Sequence, residues 1–353
     1  MKKFRKFASV LMLAAAVVFA AGCTKDNTNN GDGNNGGGGN GGGNGGGNND
    51  EPTATVSVEV LTPENVKHAT ARLGAKVVLP EGETYTQFAI SWGTEEDPEQ
   101  WENSFYENDG AMSFDTIVYG LDPGTTYHVR AYLRCGSDRY YSEVKTFTTL
   151  AITDMSIYDN IDGYPYADLG LPSGNKWAVY NVGASSPIGY GSYFAWGETR
   201  VKDEYSWSNY KFGDYYSIDE PTKYNSQDNL TTLQAEDDPV VATWHGGWRT
   251  PTRDEIDELH NNVYCTQWDT VNEVCGKLIT FKNGNSIFFP AGGMMEEALC
   301  SNENQRCYYP SSSVSSFLDY WTMSELTLSK FLIQIDGLMR DNGYTFRGVH
   351  SAN

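Results

Sequence analysis

A tract made almost entirely of glycine and asparagine, NTNNGDGNNGGGGNGGGNGGGNND, occupies residues 27–50. These residues offer almost no side chain to bury, and glycine loses more backbone entropy on folding than any other residue. We therefore expect the tract to be disordered and any packed core to form in the roughly 300 residues that follow it. A flexible chain of this length has a root-mean-square reach of about 30 Å.

The segment before the tract has the pattern of an export signal. Basic residues near the start are followed by an apolar run over residues 7–21, which is too short to span a bilayer. The run ends in Ala20-Ala21-Gly22-Cys23, which resembles the bacterial lipobox, in which small residues precede a cysteine that receives lipid. The resemblance implies a signal peptide over residues 1–22 and an outer-membrane lipid anchor on Cys23. The alternative is an ordinary cleavage site beside an incidental cysteine.

The residues directly after Cys23 bear on where the anchored protein would face. Thr24-Lys25-Asp26 resembles the lysine-plus-acid export signal of lipoproteins that Bacteroidota-type cells display on their outer surface. The resemblance implies that the protein faces the cell exterior, with a periplasmic orientation as the alternative. Residues 23–52 would then be a tether between the membrane and the folded part of the chain.

The composition of the chain limits its partners. The formal net charge is −21 at pH 7. Binding to nucleic acid or to anionic lipid depends on lysine and arginine, so this charge disfavours both. Aromatic residues make up 13% of the chain, which favours many short strands over long helices.

Residues 53–150 predict an all-β domain. Apolar and polar residues alternate over residues 55–60, 69–79, 88–92 and 127–133, as expected for strands that bury one face. The stretch GLDPGTTYHVRAY, residues 120–132, resembles the turn and penultimate strand of fibronectin type III domains. The resemblance implies a β-sandwich with Tyr127 at the tyrosine corner. We expect Trp92 and the thiol of Cys135 to point into its core.

Residues 151–353 predict a second domain with two helices. Thr252 with Glu255 forms a capping box, and Ile256, Leu259 and Val263 share one face of the following helix. A shorter helix should begin at Asp238-Pro239, with aspartate as its cap. Strands are expected over residues 277–281 and 286–290, so the domain is assigned to the α+β class.

The same domain resembles a known family. The phrases DLGLPSGNKWAVYNVGASSP, YGSYFAWGET, LQAEDDPVVATWHGGWRTPTRDEIDEL, NGNSIFFPAGG and YYPSSS occur in the order found in the Fibrobacter succinogenes major paralogous domain family of bacterial surface lipoproteins. This implies a C-type lectin-like fold. More distantly it implies a likeness to formylglycine-generating enzymes, whose RLPTEAEWE phrase is similar to residues 249–255. We expect the tryptophans inside these phrases to be core residues: Trp177, Trp196, Trp244 and Trp248.

A search for catalytic and metal-binding motifs finds none. The patterns CxxC, HExxH, GxSxG and GxxxxGK[ST] are absent from the sequence, and its five histidines show no ligand spacing. The linear calcium motifs of sugar-binding C-type lectins are also absent. We therefore expect a protein that is not an enzyme and that has no cofactor and no metal at its site.

The cysteines of the second domain suggest disulfide bonds. Cys265 and Cys275 bracket an apparent hairpin, and Cys300 and Cys307 bracket a short loop. In an oxidising compartment two local disulfides are the simplest assignment. Four cysteines allow three pairings, and the sequence does not choose among them.

Aromatic residues near the C-terminus are candidates for a ligand-binding face, because in lectin-like folds this region usually forms the recognition surface. They are Tyr308, Tyr309, Tyr320, Trp321 and Tyr344. The alternative is that they pack between strands. Thr116 and Thr270 each follow aspartate and precede an aliphatic residue, a pattern of O-glycosylation in exported proteins of this bacterial group.

Together these features predict a lipid-anchored surface protein that binds a glycan or a protein ligand, or that serves in adhesion. One alternative is an enzyme, either a glycan-processing hydrolase or a relative of formylglycine-generating enzymes. Another is a structural subunit of a surface assembly such as a pilus tip. The sequence leaves the oligomeric state open.

Overall fold

The computed structural model describes residues 24–25, 55–98, 103–213, 221–315 and 321–352. The chain forms two compact units. The N-terminal unit contains residues 1–66, 71–118 and 125–148, and the C-terminal unit contains residues 67–70, 119–124 and 149–353. The predicted signal peptide, the anchor on Cys23 and nearly all of the tether lie outside the described residues.

The N-terminal unit consists of antiparallel strands. They are β1 (Thr24–Lys25), β2 (Ser57–Val60), β3 (Thr70–Val78), β4 (Gln87–Gly93), β5 (Ser104–Glu107), β6 (Ser113–Tyr119), β7 (Thr126–Cys135), β8 (Asp138–Tyr141) and β9 (Lys145–Thr148). One sheet has the order β2-β3-β6. The other has the order β1-β8-β7-β4-β5, and β9 also pairs with β7. The four strands predicted from alternation are confirmed as β2, β3, β4 and β7.

The two sheets pack face to face as a β-sandwich. Phe88 on β4 meets Phe114 on β6 edge to face, with ring centroids 4.8 Å apart. Tyr127 is buried as expected. Trp92 and Cys135 are only half-buried, so neither is the fully buried core residue that the sequence predicted. Burial raises the pKa of the Cys135 thiol, and the Glu83 and Asp138 carboxylates add to this.

The C-terminal unit has many short strands and two α-helices. The strands are β10 (Asp159–Ile161), β11 (Tyr164–Asp168), β12 (Lys176–Asn181), β13 (Tyr193–Phe194), β14 (Trp248–Arg249), β15 (Val263–Val271), β16 (Val274–Phe281), β17 (Ser286–Pro290), β18 (Met294–Glu296), β19 (Leu299–Ser301), β20 (Arg306–Val314), β21 (Thr322–Ser329), β22 (Ile333–Met339), β23 (Tyr344–Thr345) and β24 (Arg347–His350). The helices are α1 (Pro239–Thr243) and α2 (Arg253–Asn261), with short 3-10 turns at Trp207–Asn209 and Ala235–Asp237. Strand therefore dominates this unit as well.

Its sheets are antiparallel and border two large cores and one small one. The largest sheet has the order β10-β11-β12-β24-β14, and two three-stranded sheets have the orders β15-β16-β17 and β20-β21-β22. The β20-β21-β22 sheet contributes Tyr309 and Leu326 to one large core and Tyr308 and Met323 to the other. It is thus covered on both faces. The four tryptophans predicted to be core residues are all buried.

Both predicted helix starts are confirmed. Thr252 caps α2 in a capping box with Glu255, and the buried residues of α2 are Ile256 and Leu259. Asp238 caps α1 by accepting a hydrogen bond from Val240 N at 2.8 Å. The helix α2 ends at Asn261, so Val263 begins strand β15 instead of extending the helical face.

The residues that resemble the formylglycine-generating enzyme phrase form a structural network at the start of α2. Arg249 donates to both carboxylate oxygens of Glu255, Nη1 to Oε2 at 2.7 Å and Nη2 to Oε1 at 2.6 Å. Asn175 Nδ2 donates to the same Glu255 Oε1 at 2.7 Å. This network fixes α2 to the strand before it.

Candidate functional site

The site that the geometry favours is a pair of tryptophans in the C-terminal unit. The rings of Trp207 and Trp321 lie 4.4 Å apart between centroids, at an interplanar angle of 38°. Each ring is half-buried. An aromatic pair that keeps part of its surface exposed is the type of surface that binds ligands through flat contacts.

Hydrogen bonds hold the Trp207 side of the pair in place. Trp207 lies in the 3-10 turn that ends at Asn209, and Lys202 Nζ donates to Asn209 Oδ1 at 2.9 Å. Asn209 Nδ2 in turn donates to the Glu204 carbonyl at 3.0 Å. These bonds close the loop over residues 202–209 that contains Trp207.

Trp321 lies directly before β21, the central strand of its sheet. Its carbonyl accepts a hydrogen bond from Arg340 N at 3.1 Å. The Arg340 guanidinium is buried and lies 4.6 Å from the centroid of the Trp196 ring. Trp321 is therefore tied to a rigid part of the core.

Acidic residues belong to the two segments that hold the pair. Glu204 accepts a hydrogen bond from Ser206 Oγ, next to Trp207, at 3.4 Å. Asp341 follows Arg340 on the Trp321 side and is 9% exposed. Burial raises the pKa of the Asp341 carboxyl. The ammonium of Lys202 is already bound by the Glu198 carboxylate at 3.1 Å.

Two polar atoms of this region lack partners. Within the described part of the chain, Trp207 Nε1 and Asp341 Oδ1 are shielded from solvent and form no hydrogen bond. Leaving such a group unpaired costs about 1–3 kcal/mol.

The predicted ligand face is largely wrong. Tyr308, Tyr309 and Tyr344 are 4%, 3% and 0% exposed, so these three residues belong to the cores. The reason is that the sheet containing β20 is covered on both faces, so neither of its adjacent tyrosines reaches solvent. Trp321 keeps an exposed part, and Tyr320 lies outside the described residues.

The predicted local disulfides are also wrong, because all five described cysteines are free. Cys265 lies opposite Thr280 on the hairpin, whereas Cys275 lies opposite Thr270. Five residues of strand, about 17 Å at the usual rise, separate the two rungs, and a disulfide needs Cα atoms within about 7 Å.

The second predicted pair, Cys300 and Cys307, consists of one exposed and one buried thiol, and each thiol donates to a different carbonyl. The Cys307 thiol is buried and donates to the Phe289 carbonyl at 3.3 Å. The exposed Cys300 donates to the Gly292 carbonyl at 3.4 Å instead.

The two predicted O-glycosylation positions differ in their exposure to solvent. Thr270 is exposed on β15 and contacts the Cys275 sulfur at 3.2 Å, whereas Thr116 is half-buried on β6.

No group of three or more potential metal ligands occurs in the ranges that the structure describes. Those ranges also contain no helix that is long and apolar enough to cross a membrane.

Sequence reasoning missed Trp207. Its neighbours in the segment EYSWSNY are polar or small, which is typical of a surface turn, and a tryptophan in a surface turn is a signal for exposure. The partner of Trp207 is more than a hundred residues away along the chain, so the pairing itself has no local signal.

Comparisons with known proteins give matches at the level of fold alone. No protein-family profile matches the sequence, and no curated protein matches it. Among solved structures, the sensor domain of the anti-sigma factor RsgI4 from Pseudobacteroides cellulosolvens is 18% identical, with 28% of this chain and 97% of that one covered and a TM-score of 0.22. The sixth fibronectin type III domain of human fibronectin type III domain containing protein 3 is 22% identical, covering 26% of this chain and 80% of that one, with a TM-score of 0.21. A fibronectin type III domain from human KIAA0970 protein is 13% identical, covering 31% of this chain and 79% of that one, with a TM-score of 0.21.

Proposed function

We propose that this chain is a lipid-anchored bacterial surface protein that binds a glycan or a protein ligand through Trp207 and Trp321. On this proposal residues 53–150 form a fibronectin type III-like spacer and residues 151–353 a C-type lectin-like recognition domain. The observation that carries the proposal is the half-exposed tryptophan pair, fixed by hydrogen bonds from the turn at residues 207–209 and from Arg340.

The sequence supports surface display. A lipobox-like cysteine followed by a glycine and asparagine tether would hold the folded units at a distance of tens of ångströms from the membrane. Binding needs such reach, because the partner lies on another surface. Binding also fits an aromatic pair that keeps part of its surface exposed.

A binding measurement with tryptophan variants tests the proposal. The full chain with Cys23→Ala, which cannot be lipidated, is applied to a glycan array and to a panel of surface proteins. Trp321→Ala and Trp207→Ala should each weaken retention a hundredfold or more, since a stacked aromatic at the centre of an interface is typically a hot spot. Phe331→Ala removes a highly exposed aromatic elsewhere in the same unit and should leave retention unchanged.

Melting temperatures distinguish a binding role from a packing role. Both tryptophans are half-buried, so truncation costs some stability. Trp207→Phe and Trp321→Phe keep a ring in place and should retain both the fold and part of the binding. Binding that survives both alanine substitutions in a folded protein would exclude this pair as the site.

A further inference from the structure

We propose that strand β22 pairs with β22 of a second copy of this chain, antiparallel and centred on Ile335, so that the two β20-β21-β22 sheets become continuous. The surface involved is the edge of a sheet, and the pairing does not depend on the tryptophan pair. It would be isologous, because both copies use the same strand.

Strand β22 is an open edge of its sheet. It is the last strand in the order β20-β21-β22. The central strand β21 is almost wholly buried and β20 is largely buried, whereas β22 is half-buried or exposed along its whole length. The apolar side chains at its two ends, Leu332 and Met339, are 47% and 42% exposed. An exposed edge strand is a template on which another strand can pair.

The main-chain groups of β22 face alternately toward β21 and away from it. At one end of the ladder the Leu332 carbonyl accepts a hydrogen bond from Ser329 N at 3.0 Å, and at the other end Arg340 N donates to the Trp321 carbonyl at 3.1 Å. The register between these ends has no shift, so every second residue bonds to β21. The residues that direct their main-chain groups outward are Ile333, Ile335, Gly337 and Met339.

This outer edge has little of the protection that usually prevents a second strand from pairing, which is lysine, proline or a bulge. The sequence of β22, IQIDGLM, contains neither lysine nor proline, and its ladder has no bulge. Within the described part of the chain, the outward main-chain groups of Ile333 and Ile335 form no hydrogen bond. The outward Gly337 N donates to Oδ1 of Asp336 at 3.3 Å, a long contact that a carbonyl of a second strand would replace.

Charge selects the register of the pairing. A pairing centred on Asp336 would place two carboxylates directly opposite each other, which is destabilising. A pairing centred on Gln334 or on Gly337 would place Asp336 opposite a leucine. Only the pairing centred on Ile335 places Asp336 opposite Gln334, whose amide can donate to the carboxylate.

The same register joins apolar side chains. Leu332 of each copy lies opposite Leu338 of the other, and the two Ile335 residues lie opposite each other at the centre. Apolar pairs of this kind stabilise a sheet through cross-strand contacts. The sequence of β22 is thus complementary to itself in one register.

Sedimentation of charge variants tests the pairing. The full chain with Cys23→Ala should show a reversible monomer–dimer equilibrium at about 0.15 M salt, where the net charge of −21 on each copy is screened beyond about 8 Å. Gln334→Lys should tighten the dimer about fivefold and Gln334→Glu should weaken it about fivefold, because each dimer contains two contacts between residue 334 and Asp336. Gln227→Lys and Gln227→Glu make the same charge changes at an exposed position elsewhere in the unit and should leave the equilibrium nearly unchanged.

Cysteine variants test the register. Residues that lie opposite each other in a non-hydrogen-bonded pair have Cα atoms about 4.5 Å apart, which is within the range of a disulfide. An oxidised mixture of the Gln334→Cys and Asp336→Cys proteins should therefore form a covalent dimer, which mass spectrometry identifies by the linked peptides. Neither protein alone should link through its new thiol, and a mixture of Gln227→Cys and Asp336→Cys should form no such link.

The outcomes decide among the possible occupants of the edge. A chain that stays monomeric up to about 0.1 mM, with no link in the mixed sample, would overturn the proposal and leave the edge to a strand of another protein. A dimer that responds to neither charge variant of Gln334 would place the contact elsewhere on the chain and overturn the proposal as well. A link formed by Gln334→Cys alone or by Asp336→Cys alone would overturn the register centred on Ile335.

Discussion

Arg347, a buried arginine that forms no salt bridge within the described part of the chain, compensates for an irregularity in the largest sheet. Between Trp177 and Asn181 the strand β12 runs out of register with β24. The side chain of Arg347, 1% exposed, donates Nη1 to the carbonyls of Ala178 and Val179 at 2.9 and 2.8 Å. It also donates Nε to Asn181 Oδ1 at 2.8 Å. The guanidinium thus satisfies the carbonyls that the bulge leaves unpaired.

We expect Arg347→Met to lower the free energy of unfolding by about 4 kcal/mol or more, because several buried acceptors would lose their donor at about 1–3 kcal/mol each. Urea unfolding followed by tryptophan fluorescence measures this. Arg306→Met, at an exposed position on β20, is the control and should change stability by about 0.5 kcal/mol or less. Equal effects at the two positions would contradict the role given to Arg347.

Glu325 is a buried acid whose ionisation opposes folding. Its side chain is 0% exposed, and it lies opposite Asp336 in the β21-β22 ladder. Burial, with a smaller contribution from Asp336, raises the pKa of Glu325 to about 7, although a hydrogen bond from Thr327 and the charge of Arg253 act in the other direction. The stabilisation from neutral Glu325 is complete below about pH 4.5 and is lost as pH rises through about 7.

Glu325→Gln should therefore be more stable than the wild type above pH 7, by an amount of order 3 kcal/mol. At about pH 4, where Glu325 is neutral in both folded and unfolded chains, the two proteins should be equally stable. Chemical unfolding across this pH range measures the difference. Glu303→Gln, at an exposed site, should run parallel to the wild type at every pH, and a Glu325→Gln curve parallel to it would contradict the shift.

At the scale of elements, the start of α2 allows a matched comparison of two acidic residues. Asp254 and Glu255 both lie in the first turn of the helix, so both interact with its dipole. Only Glu255 also binds Arg249 and Asn175. We expect Glu255→Ala to destabilise the protein by about 2–3 kcal/mol more than Asp254→Ala, because it leaves the half-buried Arg249 without its partner.

Thr252→Ala should cost about 1 kcal/mol, as is usual for the loss of an N-cap. Thermal unfolding of the three variants checks the order, with Glu255→Ala the least stable. Similar losses for Asp254→Ala and Glu255→Ala would mean that the network around Arg249 contributes nothing beyond the dipole.

The elements also show which features of the sequence were predictive. Local signals identified four strands of the sandwich and both helix caps, because alternation and capping act within a few residues. The burial of Tyr308 and Tyr309 was not predicted, since two adjacent residues of a strand face opposite sides and one of them is normally exposed. Here both faces of the β20 sheet are covered by residues distant in sequence, so no local pattern could show it.

The candidate site and the buried Arg347 also depend on contacts between residues that are distant in sequence, which no local pattern predicts. Trp207 and Trp321 come together only in the folded unit, and the acceptors of Arg347 are backbone carbonyls, which have no sequence signature. What could be predicted from the sequence was that Trp321 keeps an exposed part.

At the scale of the whole molecule, the proposed function depends on an anchor at one end of the chain. Metabolic labelling with a palmitate analogue should mark the wild-type protein in the membrane fraction and fail to mark Cys23→Ala, because the lipid attaches through the thiol. Cys135→Ala provides the control, since it removes a half-buried thiol of the sandwich that is not followed by a tether.

The proposal requires that Cys23→Ala lose both the palmitate label and its association with the membrane. If Cys23→Ala loses both its label and its membrane association while Cys135→Ala keeps both, the anchor is at Cys23 and the glycine and asparagine tract separates it from the binding site. Label retained on Cys23→Ala would place the lipid elsewhere. Membrane association without any label on the wild type would mean that the protein is held by a partner, and the tract would then have no anchor to extend from.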